Sequence, residues 1–283
     1  MTTFMFPGQG SQFCGMGEHL FSEFPELVEC ADTVLGYSIK ALCLEDHDKQ
    51  LDKTNYTQPA LYTVNALSYL QKIKEDEQKP DYLIGHSLGE YSALFAAGVF
   101  DFETGLRLVQ KRGQLMSQET NGSMAAVIGL SGAQVESLIK NNNLQQQVSI
   151  ANYNSYTQIV LSGASEGIAA MEPLALAAGA TYFIPLRVSG AFHSPYMQQA
   201  QTHFHEFLNG FNFSPAKIPV IANINAKHYQ TGEVSNNLSA QITHPVLWLQ
   251  SIEYLISCGE VSFEEIGPGK VLSGILNRIK RKL

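Results

Sequence analysis

Cysteine is scarce in this sequence of 283 residues, and its spacing does not suit a metal site or a disulfide framework. No C-x-x-C pair occurs, and the four cysteines are Cys14, Cys30, Cys43 and Cys258. Scattered thiols of this kind are typical of reduced, mostly packed side chains in a cytoplasmic protein. We therefore predict a cytoplasmic location and no metal site.

Long apolar runs and an excess of positive charge are also missing. No stretch of about 18 predominantly apolar residues occurs, and the first residues lack the basic start of a secretory signal. Lys and Arg total 18 against 26 Asp and Glu, which gives a net charge of -8. Because this charge opposes binding to a phosphate backbone, we expect neither nucleic acid nor a membrane as a partner.

The composition provides a core, since 45% of the residues are hydrophobic and 16% are charged. Short apolar runs at 3–6 and 82–84 predict buried strands, each followed by a glycine-containing turn. Between them, residues 15–76 show helical periodicity, with Pro25 and Pro59 expected at helix starts. Alternating strands and helices of this kind predict an α/β protein.

Residues 121–188 have a different pattern, in which strands and helices follow in the order β-α-β-β-α-β. This order is typical of a ferredoxin-like unit. We therefore predict a large α/β domain formed by residues 1–120 and 189–283, with a ferredoxin-like subdomain at 121–188 inserted into it.

A G-x-S-x-G motif spans residues 85–89 and reads Gly-His-Ser-Leu-Gly. It lies between a predicted buried strand and a predicted helix, which is the setting of the nucleophile turn in α/β-hydrolases. There the glycines allow a sharp turn, and the helix N-terminus favours negative charge beside the serine. The motif predicts Ser87 as a nucleophile in an α/β-hydrolase-like domain; the alternative is a glycine-rich turn whose serine only caps the helix.

A serine nucleophile requires a base, and His193 is the best-placed histidine. It stands in the segment Gly190-Ala-Phe-His193, between a predicted strand and a predicted helix start at Ser194-Pro195. The acidic residues between Ser87 and His193 carry no matching motif. We therefore expect a Ser-His pair rather than a triad with a carboxylate.

Six segments together resemble the malonyl-CoA:acyl carrier protein transacylases, in order over essentially the entire chain. The segments are FPGQGSQ (6–12), TQPA (57–60), GHSLGE (85–90), KRG (111–113), GAFH (190–193) and EIGPGK (265–270). Within this family the sequence looks like the discrete, trans-acting acyltransferases of bacterial polyketide synthases, with a version serving fatty-acid synthesis as the alternative.

The resemblance implies a role for each residue at the reacting carbonyl. Ser87 would be the nucleophile and His193 the base. The backbone N–H groups of Gln9 and Leu88 would form the oxyanion hole. A backbone carbonyl near Gln241 would orient the imidazole.

The resemblance also implies which residues select the acyl group. Arg112 would hold the malonyl carboxylate, because a planar guanidinium can donate two parallel hydrogen bonds to it. Phe192 resembles the malonyl-selective form of its motif, in which a bulky ring excludes an α-methyl group. Asn154 would lie close to the site. Gly190 departs from the pattern, since related modular enzymes have His there.

The implied reaction carries malonyl from malonyl-CoA through an acyl-serine to the phosphopantetheine thiol of an acyl carrier protein, without a cofactor. Two alternatives remain open. The first is an acyl hydrolase of the same fold, which would lack the carboxylate-binding arginine. The second is an inactive docking component of a synthase.

Overall fold

The computed structural model describes residues 1–76, 79–259 and 262–282, which form twelve α-helices and two four-stranded sheets. The strands are β1 (Thr2–Phe6), β2 (Tyr82–Gly85), β3 (Ser123–Ile128), β4 (Val148–Ser155), β5 (Gln158–Gly163), β6 (Tyr182–Pro185), β7 (Val220–Ile221) and β8 (Ser262–Glu265). The helices are α1 (Glu18–Glu23), α2 (Pro25–Leu35), α3 (Ile39–Leu44), α4 (Thr54–Glu75), α5 (Gly89–Ala96), α6 (Phe102–Gln118), α7 (Gly132–Asn141), α8 (Ser165–Ala177), α9 (Gln198–Leu208), α10 (Val234–Gln241), α11 (Trp248–Ser257) and α12 (Val271–Lys280). None of these helices has the length and apolar character required to cross a bilayer.

The first sheet is parallel, with strand order β7-β2-β1-β8. Successive side chains of a strand point to opposite faces, so β1 contributes to two cores. Phe4 and Phe6 pack with α4 and α5 on one face, whereas Met5 packs with α11 and α12 on the other. Helices therefore cover both faces, as parallel sheets require.

The second sheet is antiparallel, with strand order β4-β5-β3-β6. Its β-α-β-β-α-β chain order and this strand order are those of a ferredoxin-like unit. Ala125 and Val127 face a core with α7 and α8, whereas Met124 and Ala126 face the core of the parallel-sheet part. The predicted fold class is confirmed.

The antiparallel sheet is hydrogen-bonded at β4 to the segment between α10 and α11. The N–H of Tyr153 donates to the carbonyl of Val246 at 3.0 Å, and the N–H of Val246 donates to the carbonyl of Ala151 at 2.8 Å. Val246 closely follows α10, so this contact joins the antiparallel sheet to the segment at the end of that helix. The predicted domain boundaries, with a large domain at 1–120 and 189–283 and a subdomain at 121–188, stay a prediction.

Two local expectations require correction. Pro59 does not start a helix but lies in the sixth position of α4, where the carbonyl of Asn55 loses its usual N–H partner. Pro25, by contrast, is the first residue of α2, as expected. The apolar pattern also predicts a final strand over 181–188, but β6 spans only Tyr182–Pro185, and Leu186 and Val188 beyond it line the cavity described below.

Candidate active site

Ser87 lies in the sharp turn between β2 and α5, with a positive φ of 52°. The flanking glycines are required by close packing of the backbone. A Cβ on Gly85 would lie 1.9 Å from the carbonyl carbon of Gly89, and one on Gly89 would lie 2.0 Å from the oxygen of Phe6. The left-handed conformation of a serine is strained, and the surrounding structure holds it in place.

The turn is held from behind by Asn223, which follows β7. Its Oδ1 accepts from the N–H of Ser87 at 2.7 Å, while its Nδ2 donates to the carbonyl of Gly85 at 2.7 Å. Gln9, Ser87 and Asn223 thus follow three neighbouring parallel strands at their carboxyl ends. Ligand sites of α/β sheets form at this edge.

His193 lies directly against the serine, with its Nε2 2.7 Å from Ser87 Oγ. The other ring nitrogen, Nδ1, faces two carbonyl oxygens, Gln241 O at 2.8 Å and His244 O at 3.2 Å. Carbonyls only accept, so Nδ1 carries the proton and Nε2 presents its lone pair to the serine hydroxyl. The structure therefore brings together the expected pair and the carbonyl expected near Gln241, and no carboxylate of a described residue bonds to the imidazole.

Burial and, to a smaller extent, charge repulsion from the nearby Arg112 lower the pKa of His193 to about 3. The carbonyls of Gln241 and His244 act in the opposite direction. At neutral pH the imidazole is thus uncharged and able to accept a proton.

Arg112 reaches the site from α6 and is 1% exposed. Its Nη2 donates to Ser87 Oγ at 3.1 Å and to Gln241 Oε1 at 2.9 Å, and its Nη1 donates to Gln58 Oε1 at 2.8 Å. A guanidinium has five N–H donors, so three hydrogen bonds leave two of them for another acceptor. Its Nε has no partner among the described residues. A buried cation with spare donors beside a nucleophile suits an anionic substrate group.

A cavity of about 100 Å³ opens on the serine. Gln9, Leu88 and Arg112 line it from the parallel-sheet part, and Met124 and Leu186 line it from the antiparallel part. In the described part of the chain, no residue accepts a hydrogen bond from the N–H of Gln9 or of Leu88. These two N–H groups are therefore available as oxyanion donors.

Phe192 and Asn154 are placed differently with respect to this cavity. Phe192 is buried and lines it, so its ring limits the width of the cavity there. Asn154 does not line it; its Oδ1 lies 2.8 Å from Nε2 of His86, whose ring also packs against Trp248. Asn154 thus reaches the site only through His86.

Gln58 belongs to the TQPA segment, but the sequence pattern by itself indicates no role for it. Gln58 accepts from Arg112, and its Nε2 donates to Thr54 Oγ1 at 3.0 Å. Thr54 in turn donates to Gln9 Oε1 at 2.9 Å. A hydrogen-bonded chain therefore joins the arginine to the loop after β1. The spacing of Thr54 and Gln58, one helical turn apart, is the sequence signal that could have indicated this hydrogen-bonded chain.

Glu90 and Asn223 were also missed. Glu90 ends the GHSLGE segment and is buried behind the serine. The sequence offered a motif for Glu90 but none for Asn223. Within 1–76, 79–259 and 262–282, no group of three His, Cys, Asp or Glu side chains could hold a metal ion.

The sequence matches the acyl transferase domain family over residues 3–281, so the chain belongs to this family. It is 55% identical, over 99% of its length and 98% of the relative's, to the polyketide biosynthesis malonyl CoA-acyl carrier protein transacylase PksC of Bacillus subtilis. The crystal structure of a malonyl CoA-acyl carrier protein transacylase from Burkholderia pseudomallei superposes with a TM-score of 0.97 at 46% identity, covering 100% of this chain and 99% of that one.

A further solved relative is a malonyl-transacylase in complex with its type II polyketide synthase acyl-carrier protein. It has a TM-score of 0.94 and 36% identity, covering 99% of this chain and 93% of that one. These similarities confirm the family predicted from the six sequence segments.

Proposed function

We propose that this chain transfers malonyl from malonyl-CoA to the phosphopantetheine thiol of an acyl carrier protein in polyketide assembly. Its similarity to PksC over nearly the full length of both chains supports the reaction and the pathway. The observation that carries the proposal is the buried guanidinium of Arg112, 3.1 Å from Ser87 Oγ and with donors to spare. The carboxylate of a malonyl group would provide the anionic partner for this cation.

In the first half-reaction, Ser87 Oγ attacks the thioester carbon as His193 Nε2 takes the hydroxyl proton. The N–H groups of Gln9 and Leu88 stabilise the oxyanion of the tetrahedral intermediate. When the intermediate collapses, the C–S bond breaks and His193 returns the proton to the CoA thiolate. The products are malonyl-serine and free CoA.

The second half-reaction runs the same steps with a different thiol. The phosphopantetheine sulfur attacks the ester carbon as His193 removes its proton, and the proton returns to Ser87 Oγ when the C–O bond breaks. Arg112 holds the malonyl carboxylate throughout, and Phe192 limits the width of the acyl chain. Every proton in this sequence moves between Ser87, His193 and the two substrate thiols, so the proposed steps need no further cofactor.

The substrates and the thiols support a cytoplasmic location. All four cysteines are free, including the exposed Cys14. Free exposed thiols persist where the surroundings are reducing. The partner of the second half-reaction is then an acyl carrier protein, or a carrier domain of a polyketide synthase.

The decisive experiment is intact-mass analysis of the protein after incubation with malonyl-CoA. We expect a gain of about 86 Da, the mass that malonyl adds to a hydroxyl, and no gain in Ser87→Ala. Adding a phosphopantetheinylated carrier protein should then produce malonyl-carrier. Accumulation of free malonate would instead indicate the hydrolase, and the absence of any adduct on the wild-type protein would indicate the docking component.

The pathway is tested by the choice of carrier. We expect faster transfer to carrier domains of polyketide synthases than to the carrier protein of fatty-acid synthesis, measured as kcat/KM under identical conditions. The reverse preference would assign the chain to fatty-acid synthesis.

A further inference from the structure

Glu90 is a buried carboxyl group that the mechanism above does not use. It lies in the first turn of α5, is 1% exposed, and makes no ion pair with any residue the structure describes. Burying a carboxylate costs free energy unless hydrogen bonds satisfy it, so an unpaired one at this position calls for an explanation.

Donors from three separate segments satisfy this carboxyl group. Its Oε1 accepts from the hydroxyl of Tyr229 at 2.5 Å and from the N–H of Asn223 at 3.2 Å. Its Oε2 accepts a short hydrogen bond from Nε2 of Gln241. The carboxylate is thus held by neutral donors only.

The Gln241 side chain connects this carboxylate to the arginine. Its Nε2 donates to Glu90 and to the carbonyl of Ser87 at 2.9 Å, whereas its Oε1 accepts from Arg112 Nη2 at 2.9 Å. An amide has one donor end and one acceptor end, so the carboxylate and the Ser87 carbonyl together decide which way the amide faces. A rotated amide would direct its NH₂ group at the guanidinium, donor against donor.

The separation of the two charges has a consequence for substrate binding. A direct pair between Glu90 and Arg112 would occupy two donors of the guanidinium in parallel hydrogen bonds. With Gln241 in between, Arg112 spends only one donor on the connection. The arginine is therefore held in position and remains able to bind a second carboxylate.

We propose that Glu90 is a positioning residue, which acts through the Gln241 amide to hold Arg112 ready for the malonyl carboxylate. This inference rests on the proposed function. It also links the acyl-selecting residue to the base, because the backbone carbonyl of the same Gln241 accepts from Nδ1 of His193 at 2.8 Å.

The protonation state of Glu90 should therefore control malonyl recognition. The pKa of Glu90 is raised to about 7, because the effect of burial exceeds the opposing effect of Arg112 and of the hydrogen bonds from Tyr229, Gln241 and Asn223. The titratable groups that face it are Tyr229 after β7, Arg112 of α6 and Tyr91 of its own helix. Below this pKa the neutral carboxyl carries an O–H donor and accepts more weakly, so it holds the amide less firmly and the Ser87 carbonyl remains as the other acceptor.

The test compares Glu90→Gln with Glu103→Gln, a surface variant on α6, using malonyl-CoA and p-nitrophenyl acetate. The second substrate donates an acyl group without a carboxylate, so its kcat/KM measures the activity of Ser87 and His193 independently of malonyl recognition. We expect the ratio of the two kcat/KM values to shift against malonyl by roughly 10- to 100-fold in Glu90→Gln, the size of a hydrogen bond to a charged group. Glu103→Gln should leave both values unchanged.

The pH profile provides a readout that a merely structural role would not move. In the wild type, kcat/KM for malonyl-CoA should fall as the pH drops through about 7. Tyr229→Phe removes a donor that favours the charged carboxylate, so the fall should move to higher pH. In Glu90→Gln it should be absent.

The outcomes separate this inference from the proposed function. If wild-type protein gains no malonyl adduct on Ser87, the proposed function fails. Suppose instead that the adduct forms, that Glu90→Gln lowers kcat/KM equally for both substrates, and that Tyr229→Phe does not shift the pH profile. Then only the role of Glu90 is overturned. The profile of Tyr229→Phe decides the question if Glu90→Gln does not fold.

Discussion

Ser87 and Arg112 are in direct contact, with Nη2 of the guanidinium 3.1 Å from the serine Oγ. The serine hydroxyl therefore accepts from a cation on one side and donates to a neutral imidazole on the other. The cation favours the developing alkoxide and disfavours a charged imidazole, so it acts on both members of the pair. Under the proposed function, Arg112 would thus connect selection of the acyl group with the chemistry of the nucleophile.

Arg112 should decide which acyl group is accepted. In Arg112→Ala we expect kcat/KM for malonyl-CoA to fall by roughly 10³-fold, because the malonyl carboxylate would be buried without a partner. Acetyl-CoA should be accepted as well as before or better. Arg112→Lys should restore malonyl transfer only partly, since an ammonium cannot reproduce two parallel hydrogen bonds. A parallel loss with both acyl-CoA substrates would mean that Arg112 supports the fold instead.

Gln58 should act on malonyl binding through the arginine. Gln58→Ala removes the acceptor of Arg112 Nη1, and we expect the KM for malonyl-CoA to rise roughly 10-fold with a smaller change in kcat. Gln114→Ala, at an exposed position on α6, is the control and should leave both constants unchanged. An unchanged KM in Gln58→Ala would show that Gln241 alone positions the guanidinium.

Gly190 should be required by the backbone at the start of the His193 loop. A Cβ there would lie 2.1 Å from the carbonyl oxygen of Glu119, which accounts for glycine where related modular enzymes have His. We expect Gly190→Ala to lower the free energy of unfolding by about 1–3 kcal/mol, measured by urea denaturation, and to lower kcat. In Gly274→Ala, where a Cβ meets nothing within 4 Å, stability should be unchanged or raised. Equal stability of the two variants would contradict the clash.

His193 should make the fold sensitive to acid. Its pKa is lowered to about 3 in the folded protein, against about 6.5 for an unfolded chain. Between these values the unfolded state binds a proton that the folded state does not, so stability should decline as the pH falls from about 6.5. His193→Gln should show a smaller decline in thermal unfolding temperature over this range. An identical decline in both proteins would assign the acid sensitivity to other groups.

The sequence alone was sufficient where a property depends on residues that are neighbours in the chain. The nucleophile turn is one example, because the glycines at 85 and 89 and the serine between them lie on a single strand-turn-helix unit. The β-α-β-β-α-β order of 121–188 is another, since local periodicity determines it. The six family segments also gave the family, and with it the roles expected of Arg112 and His193.

Only the tertiary structure decided which distant residues meet. The side chains of Glu90 in α5 and Gln241, the last residue of α10, meet although 151 positions separate them in the chain, and no local pattern encodes this. Pro59 is a second example. A proline is typical of a helix start, yet Pro59 lies inside α4, where the packing of the helix compensates for the lost backbone hydrogen bond. Local patterns specify elements and turns, whereas the orientation of the Gln241 amide depends on which donors and acceptors the fold brings together around it.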